Sequence, residues 1–190
     1  MSIDTQIRQA LASGKLSYLP REMRDKLAER AVLLHPSLLH KLTSYGCCDE
    51  EEDRFGNLQL DLEHFVEGVV ISMGFTPHQH RDAYIGRLCP TSDGTWEIRS
   101  RAPSPGLRVF GRFAKKDVFI AFDYEFRSVK PFWGDKNKKP LGDNNNYEYE
   151  IALLNTMQMW DEIFSGTEPI KGDNWREYIT TGVHLVRDRE

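Results

Sequence analysis

The sequence has no long apolar run, and this limits where the protein can reside. No stretch of about 18 or more apolar residues occurs, so a membrane-spanning helix is not expected. The first residues, MSIDTQIRQALASGK, have no apolar segment behind a basic cluster, unlike a secretory signal peptide. We therefore expect a protein of the cytoplasm that makes no contact with a membrane.

Cysteine is also scarce, and common catalytic and metal-binding motifs are missing. The three cysteines, Cys47, Cys48 and Cys89, are too few for a disulfide framework, which favours a reducing compartment. His78 and His80 fit no standard zinc spacing with them. Neither a phosphate-binding P-loop nor a G-x-S-x-G nucleophile turn is present. We predict no metal and no cofactor.

Charge is abundant but unevenly distributed. The chain of 190 residues is 39% hydrophobic and 28% charged, which is typical of a globular protein, and its net charge is −4. Residues 1–98 have a balance of −5, residues 99–139 of +7, and residues 140–190 of −6. A basic middle segment therefore lies between two acidic ends. It could bind an acidic partner, or it could pair with the acidic ends of its own chain.

Apolar residues at helical spacing predict helices over 2–12, 21–35, 37–42, 60–73 and 147–164. In the last of these, Ile151, Leu154, Met157 and Trp160 are expected to face inward. The acidic run Asp49–Asp53 is interpreted as an exposed loop. Residues 134–146, rich in Gly, Asn and Lys, indicate irregular structure, and residues 181–186 a short extended segment.

Between these helices, TWEIRSRAPSPGLRVFGRFAKKDVFIAFDYEFRS (95–128) changes to a period of two residues, which predicts three strands joined by short turns. If successive strands pair as hairpins, one face of the sheet carries most of the arginines of the segment. They are Arg99, Arg101, Arg108, Arg112 and Arg127. Such a face can be the wet side of an antiparallel sheet, or a surface that binds phosphate through planar guanidinium groups.

The predicted fold class is α+β, with a helical N-terminal layer packed on a twisted antiparallel sheet and a helical C-terminal extension. We divide the chain into an N-terminal helical extension (1–56), a helix-and-sheet core (57–135) and a C-terminal loop, helix and tail (136–190). The alternative is that all three parts form one domain.

Residues 60–133 contain, in this order, a helix, W-E-I-R, G-L-R-V-F-G-R-F, a two-lysine turn, D-V-F-I-A-F and a closing arginine. Over roughly this range, the order of elements and basic positions resembles the RelE/HigB/ParE toxin superfamily. Members of the RelE branch cleave messenger RNA on the ribosome without a metal, and ParE relatives act on gyrase. The resemblance implies catalytic roles for Arg99, Arg108, Arg127 and Glu97. It implies nucleic-acid contacts for Arg101, Arg112, Lys130 and Trp133.

Two functions follow from these observations. The first is a RelE/HigB-like endoribonuclease toxin of bacterial or phage origin, whose partners are RNA or the ribosome and an antitoxin. The second is a non-catalytic regulator on a similar fold, which binds an acidic protein surface. The family uses a lysine where Glu97 and Arg99 stand, and an arginine is a poor proton acceptor. Glu97 would then have to act as the base.

Overall fold

The computed structural model describes residues 1–21, 27–44, 49–77, 82–126 and 144–186, with the backbone alone for 49–50 and 144–149. The helices are α1 (Ile3–Ala12), α2 (Pro36–Thr43), α3 (Asp49–Val66), α4 (Asn144–Ile163) and α5 (Trp175–Tyr178). The strands are β1 (Ser17–Tyr18), β2 (Ala31–Leu34), β3 (Ile71–Gly74), β4 (Ile85–Arg87), β5 (Thr95–Ser100), β6 (Leu107–Lys115), β7 (Val118–Phe126) and β8 (Val183–Leu185). The protein thus contains both helices and strands.

The strands form one sheet of eight, in the order β1-β2-β7-β6-β5-β4-β3-β8. Its centre is antiparallel, because β5, β6 and β7 follow one another as neighbouring strands. The pairs β2–β7, β3–β4 and β3–β8 are parallel. The three predicted strands are therefore present, but the sheet as a whole is mixed rather than antiparallel. Each of the three predicted segments of the chain contributes strands to it.

Helices contact both faces of this sheet. On the face that we call the first, α2 and α3 pack on Trp96, Phe113 and Phe119. On the second face, α1 and α4 pack on Ile120 and Phe122. Neighbouring residues of β7 thus belong to opposite layers, as the pleat of a strand requires. The N-terminal helices are divided between the two faces and do not form the single layer that the sequence predicted.

The predicted helix over 21–35 is wrong in its second half, where β2 occupies Ala31–Leu34. Val32, Leu33 and Leu34 are all buried, because β2 lies between β1 and β7 and has core on both sides. Such a strand is apolar at every position, and a continuous apolar run does not reveal its period. Leu27, an apolar residue of the same predicted helix, is 90% exposed, and residues 22–26 lie outside the described ranges.

The prediction for residues 49–73 also needs correction at both ends. The acidic run Asp49–Asp53 is the start of α3 and not a loop, and carboxylates at a helix N-terminus are favourable to the helix dipole. Helix α3 ends at Val66, and the turn includes Gly68, whose φ of 76° is accessible to glycine without strain. Residues Ile71–Gly74 form β3 instead of continuing the helix.

The C-terminal elements agree better with the sequence. Helix α4 begins three residues before the predicted range, within the segment expected to be irregular, and ends one residue before the predicted end. Residues 134–143 lie outside the described ranges, and β8 lies in the predicted extended segment. The inward face of α4 was predicted correctly at Trp160, which is buried, but wrongly at Ile151 and Leu154, which are exposed. Ala152 and Thr156 of this helix are also buried. No helix within the described parts of the chain is long and apolar enough to cross a membrane.

Candidate functional site

The strand register brings four of the predicted site residues to one face of the sheet. Arg99 of β5 lies directly opposite Arg108 of β6, and Arg112 lies opposite Thr95. Trp96 and Ile98 point into the core on the first face, so Glu97 and Arg99 point to the second face. The hairpin pairing that was needed for the arginines to share a face is therefore present for Arg99, Arg108 and Arg112.

Glu97 lies at the centre of this group, between two guanidinium groups. Its Oε1 accepts a hydrogen bond from Arg99 Nε at 2.7 Å and a second one from the terminal nitrogen Nη2 of Arg99. Its Oε2 accepts from Arg108 Nη1 at 3.2 Å. The Glu97 side chain is 1% exposed and that of Arg99 is 7% exposed. We call Glu97, Arg99 and Arg108 the Glu97 network.

Arg108 is the member of the Glu97 network that contacts solvent, with 31% of its side chain exposed. On its other side it faces Glu125 of β7 in the strand register. Two residues of like charge directly opposite each other in a sheet destabilise it, and Arg99 and Arg108 form such a pair. The Glu97 carboxylate offsets this repulsion because it binds both guanidinium groups with charge-assisted hydrogen bonds.

Arg112 is buried beneath α4 and does not take part in this network. It is 5% exposed, its Nε donates to Thr95 Oγ1 at 3.3 Å, and its guanidinium carbon lies 5.8 Å from the centre of the Trp160 ring. Burial lowers the pKa of Arg112, and the nearby carboxylates of Asp93, Asp161 and Glu168 act in the opposite direction. Arg112 is thus part of the packing between sheet and helix.

The remaining predicted residues are not brought to the Glu97 network by the described structure. Arg101 lies one residue beyond β5, and its Nη2 donates to the carbonyl of Ala83 at 3.1 Å. Three predicted residues lie outside the described ranges, namely Arg127, Lys130 and Trp133. The same holds for the histidines and the cysteine pair considered above as metal ligands: His78, His80, Cys47 and Cys48.

The acidic ends of the chain pair with basic residues of the sheet. Asp4 of α1 binds Lys115 at the end of β6. Asp173, which precedes α5, accepts from Arg87 Nη1 at 2.6 Å, although Arg87 itself lies outside the basic segment 99–139. Asp161 and Glu168, both from the C-terminal part, act electrostatically on Arg112. Of the two explanations for the uneven charge, these contacts agree with pairing within the chain.

Two buried arginines outside the basic segment were not predicted. The Arg30 guanidinium donates to several backbone carbonyls, including those of Phe65 at 3.3 Å and Thr181 at 2.7 Å, and so joins the end of α3 to the residues before β8. Arg87 donates to the carbonyls of Thr91 and Lys171 in addition to Asp173. A lone arginine beside a short strand gives no sequence signal for such a role.

The chemistry available to the Glu97 network follows from its geometry. A general base must come within hydrogen-bond reach of the proton that it removes. Glu97 is 1% exposed and its two oxygens already accept bonds from Arg99 and Arg108. Arg108 has 31% of its side chain exposed, so an anionic group at the surface can approach its guanidinium.

Within the described ranges, no group of three His, Cys, Asp or Glu side chains is placed to hold a metal ion. Comparisons of the chain with protein-family models, with curated proteins and with solved structures find no match.

Proposed function

We propose that the protein is a non-catalytic regulator of bacterial or phage origin that acts in the cytoplasm by binding another protein. The observation that supports this function over RNA cleavage is the position of Glu97. This carboxylate is buried between Arg99 and Arg108, and so the groups that would form a catalytic centre bind one another.

The electrostatic argument concerns what a phosphate would have to displace. An anion that binds Arg99 and Arg108 together would compete with Glu97 for the same guanidinium protons. It would also leave a carboxylate without its partners in a site of 1% exposure, which is costly because a buried charge needs hydrogen bonds or a counter-charge. A transition state with extra negative charge would meet this carboxylate at close range. The network is thus better suited to stabilising the sheet than to stabilising such a charge.

The partner that fits the remaining surface is a protein with an acidic patch. Arg101 is exposed and 31% of the Arg108 side chain is exposed, and in the sequence the basic residues Arg127 and Lys130 follow β7. Surface arginines of this kind contribute mainly to the rate and specificity of association.

A ribonuclease of the RelE/HigB type is the second candidate. It is favoured by the exposed part of Arg108 together with the sequence match that extends to Arg127 and Trp133. In this function Arg108 and Arg127 would bind the scissile phosphate, and Trp133 would stack on a base.

Expression in bacterial cells separates the two functions. We expect cells that produce the wild-type protein to grow normally and to keep intact message, as judged by mapping RNA 5′ ends. Growth arrest with new 5′ ends, both abolished by Arg108→Ala, would establish the ribonuclease and overturn the proposal.

For protein binding, we expect the tagged wild-type chain to retain an acidic protein from a bacterial lysate and Arg108→Glu to lose it. A wild-type chain that retains no such protein, or one that Arg108→Glu retains equally, would contradict the binding function.

A further inference from the structure

Helix α2 begins with an uncommon capping residue, His35, at the junction with β2. The backbone N–H of Ser37 donates to His35 Nδ1 at 3.4 Å, and Nδ1 lies 2.8 Å from the Ser37 hydroxyl. Pro36 occupies the first helical turn, where its missing N–H costs nothing. Helix N-caps are usually Ser, Thr, Asp or Asn, whose oxygens accept hydrogen bonds at neutral pH. An imidazole Nδ1 accepts only while it carries no proton.

The Ser37 hydroxyl gives this junction a second possible hydrogen-bond arrangement. Ser37 Oγ lies 3.4 Å from the carbonyl oxygen of Phe122 in β7, as well as 2.8 Å from His35 Nδ1. With Nδ1 unprotonated, the ring accepts from Ser37. With Nδ1 protonated, the ring donates to Ser37 Oγ, and the hydroxyl in turn can donate to Phe122. The second arrangement leaves the backbone N–H of Ser37 without its acceptor.

The charges around the ring oppose one another. A cation at the N-terminus of a helix is unfavourable to the helix dipole. The carboxylates that act on the ring, Asp123 from β7 and Glu162 from α4, favour its protonated form. Burial is the larger effect and lowers the pKa of His35. The neutral ring is therefore the stable one near neutral pH, and it caps the helix in the tautomer that carries its proton on Nε2.

We propose that His35 is a pH-dependent switch. It stabilises the first turn of α2 at neutral pH, and its protonation in mild acid destabilises that turn. The consequence reaches the core, because Leu38 and Leu42 of α2 are buried on the first face of the sheet. Loosening this turn weakens the cover over that part of the core. This property is independent of the proposed binding function and of the Glu97 network.

Nuclear magnetic resonance on the labelled full chain tests this directly. The Nδ1 nitrogen shift of His35 is followed between pH 7.5 and 5, together with amide exchange expressed as protection factors. We expect Nδ1 to be unprotonated at pH 7.5. We also expect the protection of Ser37 and Leu39 to fall about tenfold in acid, which is the size of effect known for loss of a helix cap. Protection of Leu62, inside α3, should stay constant.

Two variants complete the test. His35→Asn supplies a cap that does not titrate, and its α2 protection should change less than about twofold over the same pH range. His40→Asn is the matched control, because His40 Nδ1 contacts Ser44 Oγ at 2.9 Å at the opposite end of the same helix. It should retain the tenfold fall. The proposal would be overturned if the fall in protection persists in His35→Asn. It would also be overturned if Nδ1 is already protonated at pH 7.5, which is measured on the wild-type protein and needs no variant.

Discussion

Replacing Glu97 by glutamine should strongly destabilise the protein. Glutamine keeps the shape of the side chain but removes the charge that Arg99 and Arg108 share. Because Arg99 is buried, the substitution leaves a guanidinium in the interior without this counter-charge. Removal of one partner from a buried ion pair typically costs about 3–5 kcal/mol. In a domain of this size each kcal/mol lowers Tm by about 2–4 °C, so the melting temperature should fall by about 6–20 °C.

Thermal and urea unfolding followed by circular dichroism measures this effect. Arg108→Gln is the matched control, because its partly exposed side chain should contribute only about 1 kcal/mol. The double variant Glu97→Gln/Arg99→Gln should be less destabilised than the sum of its single variants, since it removes both charges together. If Glu97→Gln melts within about 2 °C of the wild type, the network does not stabilise the sheet. In that case the main support for the non-catalytic function is lost.

Three further predictions concern residues away from this network. Arg30→Lys should lower the free energy of unfolding in urea by about 3 kcal/mol, since an ammonium group cannot reach all the carbonyls of the separate segments that Arg30 joins. Arg176→Lys, at an exposed position, is the control, and an equally small loss in both variants would contradict this prediction. Asp117 has a φ of 63°, a backbone conformation that strains residues other than glycine, and its carboxylate accepts a hydrogen bond from the Thr180 backbone N–H. Both Asp117→Ala and Asp117→Gly lose this bond, but only glycine relieves the strain, so Asp117→Ala should be about 1 kcal/mol less stable than Asp117→Gly. Equal melting temperatures would show that strain is absent. Burial raises the pKa of Tyr178 to about 12, whereas the unfolded chain loses this proton near pH 10. Between pH 9 and 11 the wild type should therefore lose about 1.4 kcal/mol more stability than Tyr178→Phe, and equal losses would refute the shift.

The sequence by itself determined the elements whose signals are local. The two-residue period of 95–126 predicted β5, β6 and β7, and the helical spacing of apolar residues over 2–12 predicted α1, which Ser2 caps. The helical spacing over 37–42 likewise predicted α2, which begins at Pro36. These signals are reliable because they arise from the chemistry of neighbouring residues: side-chain alternation, capping and the fixed φ of proline.

Only the tertiary structure decided the state of the apolar run that became β2. Its residues are buried on both sides because β7 and β1 lie beside it, and a fully buried run has no period from which to tell strand from helix. The same limit applies to β3, which was predicted as the end of a helix. Pairing partners more than 80 residues away in the sequence settled the conformation of β2.

Only the tertiary structure decided what the arginines do. The sequence placed Arg99, Arg108 and Arg112 on a common face, and the register agrees. The sequence could not show that Glu97 would lie between two of them, nor that Trp160 of α4 would cover the third. A guanidinium group binds a carboxylate within the chain or a phosphate outside it with the same geometry. The choice depends on burial, and burial is a property of elements that meet only when the whole chain has folded.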